Sequence, residues 1–211
     1  MRSRFLLSLS AAAIAASLSL AFAAPALAQG APKKGEWVQP PKKLPHSLHG
    51  NRVHNLDFLF GALKAAPDEE TAKAIEQRIW AQWMKSRSDT TNLLMARVHV
   101  AVEEKDLDLA LKLLDAVVKI KPNYVEAWNR RATIYYLKKD YGRAIADIRE
   151  VLKREPRHFA ALSGLGLILQ DVGDDKAALE VYRRALAVYP RLQRIPDIVK
   201  KLQDEVEGRD I

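Results

Sequence analysis

Three closely spaced histidines, His46, His49 and His54, are the residues whose type and spacing come nearest to a metal site. Imidazole nitrogens are common zinc ligands, but a metal site also needs a fixed geometry and supporting groups around its ligands. These histidines lie in a proline-rich stretch without carboxylate support. We therefore interpret them as solvent-exposed side chains and predict no metal site.

Other catalytic and cofactor-binding patterns are missing from the sequence. The chain has no cysteine, which excludes disulfides, thiol nucleophiles and cysteine-based zinc sites. It has neither a GxGxxG nor a P-loop pattern, and it has no HExxH motif. Acidic clusters at residues 68–70 and 174–175 are better explained as helix starts, where the helix dipole favours negative charge. We predict that the protein is not an enzyme and has no cofactor.

The N-terminus has the order of a secretory signal peptide. Arg2 and Arg4 precede an almost wholly apolar run over residues 5–24, and an Ala-x-Ala cleavage pattern ends at Ala28. The alternative is an uncleaved membrane anchor, because the apolar run is nearly long enough to span a bilayer. No later segment has the apolar character of a transmembrane span. We expect residues 1–28 to be a signal peptide and the protein to be periplasmic or secreted.

The segment over residues 29–54 is rich in proline and lysine, which predicts a flexible linker with Trp37 and Val38 as its notable apolar pair. The formal net charge is +8, and it falls to +6 once Arg2 and Arg4 are removed. A basic protein suggests nucleic acid as a partner, but export and the lack of interleaved aromatic residues argue against it. Contact with an anionic envelope surface or an acidic protein stays open.

From residue 56 onward the hydrophobic pattern is helical and repeats every 34 residues. In each unit a short polar turn separates two apolar stripes and ends in an aspartate, which is a good helix N-cap. A proline ends each unit because it cannot continue helix hydrogen bonding. The repeating columns include Pro122, Pro156 and Pro190; Ala110, Ala144 and Ala178; Asp106, Asp140 and Asp174; and Leu94, Trp128 and Leu162.

The second unit resembles the tetratricopeptide repeat in Trp128, Ala132, Tyr135, Ala144 and Pro156, the third matches nearly as well, and the first more loosely. The whole chain also resembles small exported tetratricopeptide-repeat proteins of proteobacteria. This resemblance implies an all-α fold, a right-handed α-solenoid of antiparallel helix pairs. The predicted parts are a signal peptide (1–28), a linker (29–54), a degenerate helix pair (55–90), three repeats (91–124, 125–158 and 159–192) and a C-terminal capping helix (193–211).

The two ends of the array differ from the repeats. The helix pair over residues 55–90 lacks the alanine column and has an apolar stripe that contains Trp80 and Trp83. We interpret it as a degenerate repeat that closes the N-terminal end. At the other end, the helix that follows Pro196 has a polar outer side, as the cap of a solenoid needs.

An arginine breaks the apolar pattern of the second repeat. Arg131 stands in the column where the third repeat has Leu165. A half-buried arginine needs a partner of opposite charge. Asp115 and Asp147 lie on the neighbouring helices, and we predict a structural ion pair between Arg131 and Asp147.

In the family that the chain resembles, the first helix of each repeat lines a concave groove. The resemblance therefore implies a protein or peptide partner, bound through a mixed polar surface. The implied binding residues are Asn92, His99, Glu126, Asn129, Arg130, Thr133, Tyr136, Ser163 and Gln170. Met95 and His99 stand where some family members grip a C-terminal carboxylate with lysine and arginine, so we do not expect that clamp.

These features predict an exported scaffold that binds a protein or peptide through its concave face in the cell envelope. The alternative is a structural or self-assembling envelope protein that contacts anionic surfaces through its basic tail and convex face. The two differ in their response to salt. Groove binding survives moderate salt, whereas surface electrostatics weaken as screening rises.

Overall fold

The computed structural model describes residues 37–39, 41 and 55–208. These residues form nine α-helices and contain no β-strand, which confirms the all-α prediction. Within these ranges, no helix is both long enough and apolar enough to cross a bilayer. The helices are α1 (Leu56–Lys64), α2 (Glu69–Trp83), α3 (Asp89–Glu103), α4 (Leu107–Ile120), α5 (Val125–Leu137), α6 (Tyr141–Arg154), α7 (Phe159–Asp171), α8 (Asp175–Val188) and α9 (Ile195–Val206).

Aspartate side chains cap the N-termini of α2, α4, α6 and α8. The Oδ1 atom of Asp140 accepts a hydrogen bond from the backbone N–H of Arg143 at 3.1 Å. Asp68, Asp106 and Asp174 cap their helices in the same way. Each aspartate satisfies a backbone donor that the helix itself cannot satisfy, which explains why three of them recur with the repeat.

The residue before each recurring aspartate has a left-handed backbone conformation. Its φ is 62° at Lys105, 58° at Lys139 and 82° at Gly173. Glycine adopts this conformation without steric cost, whereas a lysine does not. All three repeats therefore have the same left-handed turn before the aspartate, but only the third repeat has a glycine at this position.

Three helix pairs, α3/α4, α5/α6 and α7/α8, form the repeat array, and α9 packs against α8. The alanine column Ala110, Ala144 and Ala178 is fully buried, because each methyl group lies where the two helices of a pair approach. Gly166 serves a similar purpose, since a Cβ atom there would come within 2.5 Å of the Tyr182 ring. These contacts confirm the predicted α-solenoid of helix pairs.

The predicted ion pair of Arg131 is confirmed, and it has a second acceptor. Two guanidinium nitrogens donate to the Asp147 carboxylate at 2.8 and 2.7 Å, and Nη1 donates to Asp115 at 2.7 Å. Hydrogen bonding to Asp147 raises the pKa of Arg131, while burial raises the pKa of Asp147 against the effect of the guanidinium. The arginine thus links the second helices of two successive repeats.

The N-terminal helix pair lies in a different place from the one predicted. Instead of stacking on α3, α1 and α2 share an apolar core with α7, α8 and α9. The rings of Trp80 and Phe159 meet edge to face, with centroids 5.7 Å apart. Arg157, in the turn that precedes α7, donates to Asp57 in α1 at 2.7 Å. The prediction that this pair closes the N-terminal end is therefore wrong, because its tryptophan stripe packs against aromatic residues of the third repeat.

The displacement of α1 and α2 leaves the N-terminal end of the repeat array open. Val100 in α3 is 50% exposed, whereas its equivalents Ile134 and Ile168 are 2% and 0% exposed. The latter two are covered by the preceding repeat. Leu93, on the same face of α3 as Val100, is 60% exposed.

Candidate peptide-binding face

The first helices of the repeats, α3, α5 and α7, present equivalent side chains that we call the inner face. These residues fall in columns because the repeat length is constant. All nine residues implied by the family resemblance belong to them. The columns are Asn92, Glu126 and Ala160; Met95, Asn129 and Ser163; Ala96, Arg130 and Gly164; His99, Thr133 and Leu167; and Val102, Tyr136 and Gln170.

The exposure of the inner face changes along the array. In the first repeat, Asn92 and His99 are exposed. The equivalents of Asn92 in the second and third repeats, Glu126 and Ala160, are fully buried, and the equivalents of His99, Thr133 and Leu167, are 8% and 7% exposed. A solenoid groove that is open along its whole length would leave these columns exposed in every repeat. Two segments from the N-terminal part of the same chain cover the inner face of the second and third repeats.

The first covering segment is helix α2. The indole of Trp83 lies flat on the imidazole of His158, with centroids 4.0 Å apart and planes 13° from parallel. Trp80 meets the same imidazole edge-on at 5.8 Å. The hydroxyl of Tyr189 donates to Glu76 in α2 at 3.1 Å. Aromatic stacking and a partly buried hydrogen bond thus hold α2 against the third repeat.

Polar side chains are enclosed beneath α2. The fully buried Glu126 carboxylate accepts from Arg130 Nε at 3.0 Å and from Asn129 Nδ2 at 3.3 Å. His158 is also fully buried, and its Nδ1 accepts from the backbone N–H of Ala161 at 3.2 Å. The proton of a neutral imidazole is therefore on Nε2, which lies 3.9 Å from Glu126 and has no hydrogen-bond partner among the described residues.

Burial dominates the electrostatics of this enclosed group. It lowers the pKa of His158 from 6.5 to about 3, so the imidazole is neutral at neutral pH and does not form an ion pair with Glu126. Burial also raises the pKa of Glu126, although Arg130 and Asn129 act in the opposite direction. The group thus has the features of an enclosed structural network, with Arg130 as its link to the surface.

The second covering segment contains Trp37. The sequence predicts a flexible linker here, yet the Trp37 side chain is only 4% exposed. The Trp37 ring lies over Gly164 of α7, and a Cβ atom at position 164 would overlap the ring. The centroid of the Trp37 ring is 5.7 Å from the centroid of the Tyr136 ring in α5. Pro41, four residues along, reaches the first repeat. In the sequence, the presence of a tryptophan within an otherwise polar and proline-rich segment is the feature that indicates this contact.

A cleft of about 340 Å³ remains open between the two covering segments and the first repeat. Helix α3 forms one wall, and the start of α5 forms the other. The end of α2 and Pro41 border it. The lining residues are Pro41, Met84, Asn92, Met95, Ala96, His99, Tyr124 and Arg130.

Three hydrogen bonds fix the border of the cleft at the end of α2. The hydroxyl of Tyr124 donates to the backbone carbonyl of Met84 at 3.1 Å, and burial raises the pKa of this phenol. An Nη atom of Arg130 contacts the Met84 sulfur at 3.6 Å. The ammonium of Lys121 donates to the carbonyl of Ser86. The cleft is therefore bordered by groups whose positions are set before any ligand arrives.

The cleft combines apolar and polar lining groups. Met84 and Met95 supply a polarizable apolar surface that adapts to different side chains. Arg130 supplies guanidinium donors whose orientation is fixed by the buried Glu126. His99 lies one turn from Glu103, and its Nε2 is 3.3 Å from that carboxylate. This lining suits an extended peptide, whose backbone offers acceptors and whose side chains offer apolar surface.

The structure divides the nine implied residues into two groups. Asn92, His99 and Arg130 meet around the open cleft. The other six lie beneath the covering segments or hydrogen bond to neighbouring groups of the protein. These are Glu126, Asn129, Thr133, Tyr136, Ser163 and Gln170. Binding by any of the nine stays a prediction.

Metal binding is not supported by the described residues. They contain no group of three or more histidine, aspartate or glutamate side chains that could hold an ion. The three histidines considered from sequence, His46, His49 and His54, lie outside the described residues.

Two family models match the chain. The family described as tetratricopeptide repeat protein 21 ARM repeat matches residues 13–150, and the family described as tetratricopeptide repeat matches residues 140–192. A TPR repeat-containing protein of Rhizobium etli is 40% identical over 153 residues, covering 72% of this chain and 75% of that protein. Small glutamine-rich tetratricopeptide repeat-containing protein 2 of Saccharomyces cerevisiae is 27% identical, covering 64% of this chain and 39% of that protein.

Solved structures of tetratricopeptide-repeat domains share the fold at lower identity. The first TPR of Spaghetti, bound to an HSP90 peptide, superposes with a TM-score of 0.53 at 17% identity, covering 57% of this chain and 95% of that one. The TPR2B domain of yeast Sti1, in complex with an Hsp70 peptide, has a TM-score of 0.52 at 17% identity, covering 56% of this chain and 99% of that one.

Proposed function

The chain belongs to the tetratricopeptide-repeat family, and we propose that it is an exported, non-catalytic scaffold that binds an extended peptide segment of a partner protein in the cleft between α3 and α5. The observation that carries this proposal is the exposure of the inner face. Asn92, His99 and Arg130 remain accessible around the cleft, while Glu126 and Thr133, which are equivalent to Asn92 and His99, are buried. The accessible cleft is the place where a partner can reach this face.

Rigid display is the proposed mechanism. The helices hold the side chains at a fixed spacing, and Glu126 and the Met84 sulfur hold the Arg130 guanidinium from two sides. Little side-chain entropy is lost when a ligand accepts hydrogen bonds from a group that is already oriented. Two neighbours of the same fold, the Spaghetti and Sti1 domains, are complexes with chaperone peptides, which supports a peptide as the class of ligand.

We also place the site of action outside the cytoplasm. The basic start, the apolar run and the Ala-x-Ala pattern of residues 1–28 support export, and they lie outside the described residues. Mass spectrometry of the protein recovered from the producing cells tests this. A chain that begins at Gln29 supports export with cleavage, and a chain that retains Met1 contradicts cleavage.

Filling the cleft tests the binding proposal without removing any contact of the fold. Ala96 lines the cleft and is exposed, so Ala96→Trp places an indole in it. Ala146 is an exposed alanine on α6, and Ala146→Trp is the matched control. Partner capture from envelope extract should be lost with Ala96→Trp and kept with Ala146→Trp. Equal capture by both variants would refute binding in the cleft.

Self-association is the second candidate function, and the open end of the array favours it. Leu93 and Val100 are exposed where the other repeats have buried residues, so a second copy could cover them. Contact with anionic surfaces rests instead on the basic tail over residues 29–54, most of which lies outside the described residues, and on the convex face. Sedimentation velocity should show a dimer that Val100→Lys abolishes and Val172→Lys, at an exposed position in the third repeat, preserves. A monomer at all concentrations would exclude this function.

A further inference from the structure

The Trp37 side chain occupies a site on the inner face that has the shape of an aromatic recognition site. We call this site the indole site, and define it by Gly164 of α7 and Tyr136 of α5. A Cβ atom at position 164 would overlap the six-membered part of the indole, so the ring lies directly on the helix backbone. The Tyr136 ring faces it at 5.7 Å with an interplanar angle of 50°.

The glycine at position 164 distinguishes this part of the inner face from its equivalents. The same column has Ala96 in the first repeat and Arg130 in the second. Only the third repeat therefore leaves room for a flat ring against the helix. Glycine in a helix interior lowers helix stability relative to alanine, so its presence here is explained by the close approach of the indole.

The occupant of the indole site is an irregular segment and not part of a helix. Residues 37–39 and 41 have no regular secondary structure, and the first helix among the described residues begins at Leu56. Trp37 is buried, Val38 is half-buried, Gln39 is exposed and Pro41 borders the open cleft. Trp37 thus lies at the indole site and Pro41 at the cleft, two positions on the inner face that an extended peptide ligand could also occupy.

Trp37 fills the indole site without satisfying its own polar group. The indole Nε1 is buried and has no hydrogen-bond partner among the described residues. A buried donor without an acceptor weakens the contact relative to a fully satisfied one. A competing aromatic side chain that satisfies its own donor at this site, or that has no donor, can therefore replace Trp37.

We propose that the indole site is an exchangeable recognition site for an aromatic residue in an extended peptide, and that the chain's own Trp37 fills it when no partner is bound. This inference rests on the proposed peptide-binding function and names the chemistry of the ligand. The partner segment carries an aromatic side chain that enters the indole site, and its neighbouring residues lie along the inner face toward the cleft between α3 and α5.

A peptide of the chain's own sequence tests exchange directly. The probe is a fluorescent heptapeptide with the sequence of residues 35–41, Gly-Glu-Trp-Val-Gln-Pro-Pro. It should bind the Trp37→Ala protein, in which the indole site is vacated. Binding to the wild-type protein should be at least about tenfold weaker, because the tethered Trp37 competes at a high effective concentration. The same peptide with alanine in place of tryptophan should not bind.

Two glycine variants identify the site at which the peptide binds. Gly164→Ala adds the methyl group that overlaps the ring, and alanine favours the helix, so the fold is kept. Gly142→Ala is the matched control, because a Cβ atom there meets nothing within 4 Å. In the Trp37→Ala background, Gly164→Ala should abolish binding and Gly142→Ala should leave it unchanged, with circular dichroism equal for both.

The outcomes separate this inference from the proposed function. No binding of the heptapeptide to Trp37→Ala, or equal binding by the two glycine variants, would overturn the indole site. If Ala96→Trp still abolishes partner capture in that case, the scaffold function stands and only the aromatic recognition is refuted. Peptide binding that depends on Gly164 supports the inference regardless of the result with Ala96→Trp.

Discussion

The indole of Trp83 and the imidazole of His158 are stacked, with their ring centroids 4.0 Å apart. This contact joins α2 to the N-terminus of α7, although the two residues are 75 positions apart in the sequence. Because α2 lies there, Glu126 and His158 are fully enclosed. The stacked pair therefore determines which part of the inner face is closed and which part is left as the cleft.

Truncation of Trp83 should destabilise the protein more than truncation of Trp128. Trp83 is 6% exposed and contacts Trp80, Phe60, Phe159 and His158, whereas Trp128 is half-buried. We expect Trp83→Ala to lower the free energy of unfolding by about 3–5 kcal/mol. Urea denaturation of both variants measures the difference. An equal or larger loss with Trp128→Ala would show that α2 is not held by this contact.

The stability of the protein should fall with acidification through His158. In the folded state burial lowers the pKa of this residue to about 3, whereas the unfolded chain binds the proton near pH 6.5. Protonation therefore favours the unfolded state as pH falls from about 6.5 toward 3, by up to about 1.4 kcal/mol per pH unit. His158→Asn keeps an N-cap acceptor for α7 and does not titrate. Unfolding free energies between pH 7 and 4 should decline more steeply for the wild type than for this variant, and parallel curves would contradict the account.

The Arg131 network should matter more for stability than a surface ion pair of similar geometry. The side chains of Arg131 and Asp147 are 16% and 5% exposed, whereas those of Arg183 and Glu207 are 41% and 43% exposed. Arg131→Ala leaves a buried carboxylate without its partner, which costs on the order of 3 kcal/mol. Arg183→Ala should cost less than about 1 kcal/mol. Thermal unfolding of the two variants tests this order, and a reversed order would refute it.

Exchanging the turn residues of two repeats should change stability in opposite directions. Lys139 has a φ of 58° and Gly173 a φ of 82° at the same position of their repeats. Lys139→Gly removes the steric cost of the left-handed conformation and should stabilise the protein by about 0.5–1 kcal/mol, while Gly173→Lys should destabilise it by a similar amount. Denaturation midpoints measure both effects. A loss of stability with Lys139→Gly would mean that unfolded-state entropy outweighs the strain.

The sequence predicts the repeats well because they depend on short-range interactions. The N-cap at Asp140, the alanine at Ala144 and the terminating Pro156 act within one helix pair, so their spacing carries the information. The ion pair of Arg131 was also predictable, since a half-buried charge in a regular array has few possible partners.

The positions of the covering segments could not be predicted in the same way. The stripe of Trp80 and Trp83 shows that α2 needs a partner but does not specify which one, and the aromatic residues that it contacts are distant in the chain. Trp37 raises the same difficulty, because nothing in its local sequence indicates the glycine that accommodates it. The sequence therefore predicts which groove residues occupy equivalent positions in successive repeats. It does not predict which of them are buried, because their burial depends on the long-range contacts of α2 and Trp37.

Recognition of a partner through the cleft is tested by site-specific cross-linking at position 99. A photoreactive amino acid replaces His99 in the cleft, and in a second protein it replaces Lys112, which is exposed on α4. Irradiation with envelope extract should yield one defined adduct from position 99 and none from position 112. Peptide mapping should place the cross-link in an extended segment of the partner. No adduct at position 99, or the same adduct at both positions, would contradict recognition through the cleft.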